Sequence, residues 1–395
     1  MISVAWALVA LPVLVGGLTY LVYPAILALL AGGRDLDRPS DPSVWPLTTI
    51  AIPAYNEEAQ IRGALEAVLA QDYPADRRQV LVLSDASTDR TDAIVREYEA
   101  QGVELLRMPV RGGKTAAENA SCALIRGSIV INTDASIRLH PAMMRELVLH
   151  MQDPTVGVAS SRDVSISARD ATANQAEAGY VNYEMAVRAL ETRTGGIVGA
   201  SGSGYAIRTE LHMIPVRDDL SRDFSAALTA RRHGYRAISV DEAICYVPRT
   251  SGLKREYTRK VRTISRGMET LYSNRELLDP ERHGAFAFKL ISHKILRWLV
   301  PHSAVLGVVG LVILSRHNWL AAVLVFGFVA LCLGAFAVSR LPEGKPVPRL
   351  VSLVAFALSA NMAVIHASWR FTIGHDDHIW EPTRRATSDA PEAST

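Results

Sequence analysis

The sequence predicts an α/β domain built on a half-Rossmann-like, mostly parallel sheet with helices on both faces, flanked by transmembrane helices at both ends. Two observations carry this. Apolar residues are 49% of the 395 and mean hydropathy is +0.13, high for an all-soluble protein, and the apolar residues bunch at the two ends. Between them, from Thr48, short β-rich apolar runs alternate with helical stretches, the rhythm of parallel strands joined by crossover helices.

The first apolar run, Ile2 to Ala31, is longer than a secretory h-region and lacks a basic start, so residues 1–33 are expected to be an anchor. A polar, proline-rich linker follows over 34–47. The domain is placed at 48–284. Its expected order is the strand LTTIAIPAY, a helix from Glu57 to Ala70, the strand RQVLVLSDAS, a helix from Asp89 to Ala100, and the strand VELLRMP. A helix from Thr115 to Ile125, the buried strand GSIVINTDAS and a helix from Pro141 to Gln152 continue the sheet. The segment 160–250 is less regular and ends in an edge strand, RAISVDEAICYVP. Residues 285–298 read as an amphipathic interface helix, with Lys294, Arg297 and Trp298 at a headgroup boundary. Residues 299–373 hold three further apolar runs, of which 299–315 is the shortest and the candidate for a re-entrant segment, and 374–395 are a tail.

Charge and cysteines exclude several classes. A formal charge of +2 with no basic tract interleaved with aromatics argues against a nucleic-acid partner. Cys122, Cys245 and Cys332 are widely spaced, which offers neither a disulfide framework nor a thiolate zinc site.

The polar residues at strand ends form a pattern. IAIPAYNEE places Pro53, Ala54, Tyr55 and Glu57 at the carboxyl edge of a strand, where open sheets bind ligands, and Glu57 suits ribose hydroxyls. In LVLSDASTDRTD, Asp85 is poised for a base or ribose, whereas Asp89 reads as a helix cap. The Gly112–Gly113 turn delivers Lys114 to a helix start, an arrangement suited to an anionic nucleotide but without Walker spacing. Asp134, at the end of INTDAS, reaches the same edge and is the candidate ligand for Mg²⁺ or Mn²⁺, hard cations that take few protein ligands beside a diphosphate.

Over residues 48 to 300 these ordered motifs resemble the membrane-bound family 2 glycosyltransferases of GT-A fold, inverting enzymes of the hyaluronan, poly-N-acetylglucosamine and cellulose synthase type. The resemblance implies that PAYNE and DASTDRT hold uridine and that Asp134 holds the cation, with Ser136 where a second Asp is usual. It implies an acceptor motif in GASGSGYAIR, with Gly202, Ser203 and Gly204 letting the acceptor approach the backbone, and a catalytic base at Asp223, where Arg222 replaces the usual Glu.

Arg255, Arg259, Arg262 and Arg266 fall on one helical face, expected to meet anions: lipid headgroups, or the pyrophosphate of donor or lipid carrier, to which Arg259 and Arg262 are assigned. The matching stretch of polymerising relatives carries Q-x-x-R-W; here the Arg is kept, and Gln and Trp are absent. The tail HDDHIWEPTRR resembles a motif of the same families at Trp380, Thr383 and Arg384.

The implied function is transfer of a sugar from a nucleotide-diphosphate sugar, a UDP-sugar, to a growing cell-surface or extracellular glycan. A single addition to a polyprenyl-phosphate lipid is the alternative, and a non-catalytic export or binding subunit the second. Lys and Arg around the domain place it on the cytoplasmic side of the inner membrane, with the bilayer and a glycan or lipid-linked acceptor as partners.

Overall fold

A computed structural model describes residues 1–33, 38–166, 172–248, 253–340 and 348–374; the tail motif lies outside the described residues. Eight strands form one sheet in the order β3-β2-β1-β4-β7-β6-β8-β5. They are β1 (Thr48–Ala54), β2 (Arg78–Ser84), β3 (Val103–Arg107), β4 (Ile129–Thr133), β5 (Arg138–Leu139), β6 (Val156–Ile166), β7 (Gly204–Arg208) and β8 (Arg236–Pro248). The first four pair in parallel, β1 between β2 and β4. β7 then runs antiparallel to both β4 and β6, so the sheet is mixed. The expected edge strand β8 is instead parallel to β6 and has the two-residue β5 on its other side, so it sits one place in from the edge.

Every residue of β1 is buried, as a central strand covered on both faces requires. Its cover on one side is α2 (Ile61–Leu69), in which Ile61, Ala64, Leu65 and Val68 make a single buried stripe. The helices α3 (Thr91–Arg96), α4 (Lys114–Ser121) and α5 (Met143–His150) follow β2, β3 and β5. Each starts within three residues of the predicted place and stops short of the predicted end, α3 and α4 in short 3₁₀ turns. The second half adds α6 (Thr172–Arg193), α7 (Arg222–Arg232) and the basic α8 (Leu253–Ser273).

Among the described residues, four helices are long and apolar enough to cross a membrane. The first is α1 (Ile2–Ala31), 30 residues with one π turn over Leu18–Val22. The second, α9 (Ala285–Leu314), is also 30 residues long and passes through residue 298 without a break, so the expected interface helix and the run 299–315 are one element. Its π turn at Ile291–Ile295 keeps the axis continuous, and Pro301 lies inside it. α9 packs along α1 through small residues: a β-carbon on Gly310 would come within 2.6 Å of the Ala5 carbonyl oxygen, and one on Gly307 within 2.8 Å of Pro12 Cγ.

The other two are α10 (Trp319–Ser339) and α11 (Arg349–Thr372). α10 starts at the far end of the α1–α9 pair, where Ala5, Leu314 and Ala321 cluster. α11 lies along the basic helix of the domain: Tyr257 Oη is 3.0 Å from His366 Nδ1, Val261 is buried with Ala363 and Ala367, and Tyr272 meets Phe371 edge-on. α11 thus leans on the domain along α8; the 299–315 run is half of a helix packed against the N-terminal one.

The basic residues of α9 also face differently from expectation. His293 lies between two carboxylates of α6, Nδ1 2.6 Å from Glu191 Oε1 and Nε2 2.8 Å from Glu184 Oε1, and Arg297 pairs with Glu184. Tyr23 of α1 donates to Glu191, and Lys289 Nζ donates to the carbonyls of Glu191, Thr194 and Gly196 at 2.9–3.0 Å. Lys294 sits over the Phe224 ring at 5.0 Å. Lys294, Arg297 and Trp298 thus pack against the domain, where α6 supplies the acid that faces the two cations.

Candidate active site

The site is built where β1, β2 and β4 end. Pro53 and Ala54 are buried inside β1, past the last residue that pairs with β4, where a missing N–H costs the ladder least. Their part is to end the strand: Ala54 O accepts from Asp85 N at 2.9 Å. The chain then turns through Asn56 at φ +52, a conformation asparagine tolerates, and Asn56 Oδ1 accepts from Thr88 N at 2.7 Å. Glu57 N donates to Thr91 Oγ1 at 2.8 Å and Glu58 N to Asp89 Oδ2 at 3.1 Å, so the β1 and β2 loops are stitched into one rim. Asp89 also accepts from Thr91 N at 2.9 Å, standing one residue ahead of Arg90, which takes the N-cap position expected for Asp89. Glu57 itself is buried at this rim.

Tyr55 is half-buried with the Arg111 guanidinium stacked 3.8 Å over its ring, a flat cationic platform at the sheet edge that the sequence reading missed. Asp85 is 2% exposed and grips the loop ahead of α4: Oδ1 accepts from Gly112 N at 2.7 Å and Oδ2 from Gly113 N at 2.8 Å. Expected to face a base or ribose, its carboxylate has backbone partners on both oxygens and sets the position of Lys114.

Lys114 opens α4 and reaches across to β4, with Nζ 2.5 Å from Asp134 Oδ1. Burial works against the ammonium most, but Asp134, Glu118 and Asp223 outweigh it and hold its pKa above the usual lysine range. The three expected ionic residues Lys114, Asp134 and Asp223 are thereby brought into one field. Asp223, in the first turn of α7, accepts from Ser221 Oγ and from Phe224 N at 2.9 Å, both on Oδ1. Its Oδ2 lies against Gly202, where a β-carbon would approach to 2.9 Å. The glycine is what lets the carboxylate meet this loop.

The GASGSG loop is held from below by a residue the sequence did not single out. Asp163 Oδ2 accepts from Ser201 Oγ at 2.7 Å and Ser203 Oγ at 3.2 Å, while Thr133 Oγ1 donates to Ser203 O at 2.7 Å. Ser203 is thus buried, with its hydroxyl turned down onto Asp163. Gly204 begins β7, and a β-carbon there would lie 2.7 Å from Cys245 Sγ, so its smallness serves strand packing. Of the three acceptor-side residues, Gly202 is the one beside Asp223.

Arg222 turns away from Asp223 and into α4. Nη1 donates to Asn119 Oδ1 at 2.5 Å, Nη2 to His212 O at 2.6 Å, and Nε stands 3.9 Å from Glu118 Oε2. Glu118 is fully buried, and burial raises its pKa against the pull of Lys114 and Arg222.

The arginine stripe divides. Arg259 is engaged by Glu256 of its own helix at 2.9 and 2.6 Å. Arg266 donates to the carbonyls of Asp218, Asp219 and Leu220 at 2.8–3.2 Å, bracing the loop that leads into Ser221 and Asp223. For Arg266 the expected anion is thus a set of backbone carbonyls. Arg262 lies on the same helix, half-buried.

Residues 49–212, from β1 through the GASGSG loop, match the family model described as Glycosyl transferase family 2. The match takes in less than half of the chain, the stretch that holds Tyr55, Asp85, Lys114 and Asp134. Asp223 lies just beyond the matched span. Among curated relatives, a beta-monoglucosyldiacylglycerol synthase of Synechocystis is 29% identical over 201 residues, 48% of this chain and 40% of that protein. An N-acetylglucosaminyltransferase of Mesorhizobium japonicum is 34% identical over 120 residues, 29% of this chain and 28% of that one. The chain therefore spans two fifths or less of these relatives. A mannosyltransferase, PcManGT from Pyrobaculum calidifontis, solved with GDP-Man and Mn²⁺, superposes with TM-score 0.70 at 21% identity, covering 93% of this chain and 99% of that one. That likeness shows the fold, which is of GT-A type.

A divalent cation fits this edge on a condition. No group of three or more His, Cys, Asp or Glu side chains converges on a metal position among the described residues. Asp134 offers one hard carboxylate, and Ser136 is buried. Such a set suits Mg²⁺ or Mn²⁺ when a diphosphate and water complete the shell.

Proposed function

We propose that the protein is an inverting glycosyltransferase that moves a sugar from a nucleotide-diphosphate sugar, a UDP-sugar, to a growing glycan for cell-surface or extracellular polysaccharide. The observation that carries this is the placement of Asp223: one oxygen fixed by Ser221 and Phe224 N, the other facing Gly202, in the field of Lys114 and Asp134.

In this reading the nucleoside lies along the joined β1 and β2 loops, beside Tyr55, Glu57 and the Asp85-held turn. Asp223 takes the proton of the acceptor hydroxyl as its oxygen attacks the anomeric carbon in line, and the nucleoside diphosphate leaves from the opposite face, giving inversion without a covalent enzyme intermediate. Lys114, with Arg259 and Arg262 on α8, faces the departing diphosphate. A divalent cation on Asp134 would supply further neutralisation of that charge. Nucleotide-sugar use is supported by the similar mannosyltransferase solved with GDP-Man, so the donor panel includes both bases.

The test is turnover by membranes containing the full chain, given labelled UDP- and GDP-sugars with Mn²⁺ or Mg²⁺. Incorporation that Asp223→Asn reduces by about a thousandfold, a loss of about 4 kcal/mol in transition-state stabilisation, is expected. No transfer or hydrolysis from any donor, or full activity in Asp223→Asn, overturns the reading.

A second reading, one addition to a lipid-linked acceptor, is favoured by a cavity of about 340 Å³ between α8, α9 and α11. Leu271, Ile295, Trp298 and Phe371 line it, and Leu271, Ile295 and Trp298 also pack in the cluster around Phe224, next to the proposed base. Organic extraction of the labelled product separates the two: polymer stays behind, whereas a glycolipid is extracted. For topology, we place the domain on the cytoplasmic face of the inner membrane, with α1, α9 and α10 crossing and α11 lying along the domain. That arrangement leaves Arg370, in the last turn of α11, on the domain's side, in keeping with the positive-inside rule.

A further inference from the structure

Asp134 is the position at which this fold is expected to hold its cation, yet a cation is already there. Lys114 Nζ stands 2.5 Å from Asp134 Oδ1, and both side chains are mostly buried, 17% and 21% exposed. Mg²⁺ or Mn²⁺ binds a carboxylate oxygen at about 2.0–2.1 Å, so the ammonium and the metal compete for the same lone pairs and repel each other as like charges. The balance of ligands favours the lysine. Ser136 stands where a second carboxylate would strengthen a metal site, and the described residues offer no third acidic or imidazole ligand.

The lysine is also placed to let go. Its backbone is pinned by the turn that Asp85 holds through Gly112 N and Gly113 N, so a change of partner requires only side-chain rotation along its four-carbon stem. Glu118 and Asp223 also attract its ammonium, so the charge keeps acidic company in the site when Asp134 is given up.

We propose that Lys114 is the resident counter-ion of Asp134, so that the divalent cation enters only with the donor, whose diphosphate both completes the metal shell and takes over the lysine ammonium. This rests on the nucleotide-diphosphate reading above. It makes metal and nucleotide binding obligatorily coupled, and it protects the site from loading a bare ion.

The test measures Mn²⁺ binding to the purified full chain in detergent by the loss of the free-ion electron paramagnetic resonance signal, without substrate turnover. Wild type, Lys114→Met, Lys114→Gln and Asp134→Asn are titrated alone and with UDP or GDP; matching melting curves qualify each variant as folded. Wild type alone should bind Mn²⁺ weakly, and UDP should tighten binding about tenfold or more. Either lysine substitution should tighten nucleotide-free binding by about the same factor and largely remove the nucleotide's effect. Asp134→Asn should bind poorly throughout. Equal nucleotide-free affinity in wild type and both lysine variants, or weaker binding in them, overturns the proposal even when nucleotide tightens binding in all three. If neither UDP nor GDP changes Mn²⁺ affinity in any variant, the nucleotide-diphosphate reading fails instead and takes this inference with it.

Discussion

Arg222 and Glu118 face each other across the contact between α7 and α4, Nε to Oε2 at 3.9 Å, both side chains nearly or fully buried. The family resemblance implies a glutamate at 222; here an arginine stands there and faces a glutamate of the opposing helix. The exchange leaves the helix carrying the proposed base tied to the helix carrying Lys114.

Removing one member should therefore be far worse than removing both. Arg222→Leu leaves buried Glu118 with Lys114 as its remaining nearby cation and should cost about 1–3 kcal/mol, whereas the double variant with Glu118→Leu should recover most of that. Restoring the family residue, Arg222→Glu, places two acids together and should unfold or inactivate the domain. Denaturant unfolding of the three variants in detergent decides this; equal stability of Arg222→Leu and the double variant would count against the pair.

Gly202 makes the sharpest catalytic prediction. A methyl group at this position meets Asp223 Oδ2 at 2.9 Å, so Gly202→Ala should displace the carboxylate by a few tenths of an ångström. Turnover should fall roughly 10- to 100-fold while the melting temperature changes little, since misplacement of a base by less than an ångström is costly to rate and cheap to fold. Steady-state kinetics alongside a thermal melt separates the two.

How much of this was legible beforehand varied with the reach of the interaction. The strands β1 to β4 announce themselves because their periodicity is local, and the residues at their ends follow by topology. Arg222 read as a lost glutamate because its partner Glu118 is 104 residues earlier and belongs to a different motif. Asp163 gave no signal, since a single acid in a strand looks the same whether it meets water or two serines. Lys294 and Arg297 were assigned to headgroups for a related reason: amphipathic periodicity says that a polar face needs a polar partner and not which one. The partners, Glu184 and Glu191, lie in a helix more than a hundred residues away. Lys114 and Asp134 were both found, but one as a nucleotide contact and the other as a metal ligand, because spacing does not reveal that their side chains touch.

A pH dependence follows from Asp153, at the end of the sheet opposite the site. Burial works against its charge, but Thr155 N at 2.8 Å, Thr155 Oγ1 at 2.7 Å and Arg236 Nη2 at 2.6 Å outweigh it and hold its carboxyl below the ordinary 3.8. Its contribution to stability is fully present above that ordinary value and is lost as pH falls through the lower folded value. Asp153→Asn should lower the melting temperature at neutral pH, and the gap from wild type should close in acid below about pH 4. A constant gap down to pH 3 would remove Asp153 as its source.

The contact of α1 with α9 should be intolerant of bulk. Gly310→Leu forces a side chain into the Ala5 carbonyl and should destabilise the pair by about 1–3 kcal/mol, whereas Gly327→Leu, whose β-carbon meets nothing within 4 Å, should be neutral. Comparative melting in detergent reads both.

The latch of Tyr23, Glu191 and His293 has a mechanical meaning. Arg188, one turn before Glu191 on α6, donates to Ser160 Oγ at 3.2 Å and to the carbonyl of Gly199 at the start of the glycine loop. The same stretch of α6 thus grips both apolar helices through Glu184 and Glu191 and the floor of the glycine loop through Arg188. The proposed catalytic centre is thereby carried at a set distance from α1 and α9, like a tool clamped to a depth stop, and any tilt of that helical pair moves the loop with it.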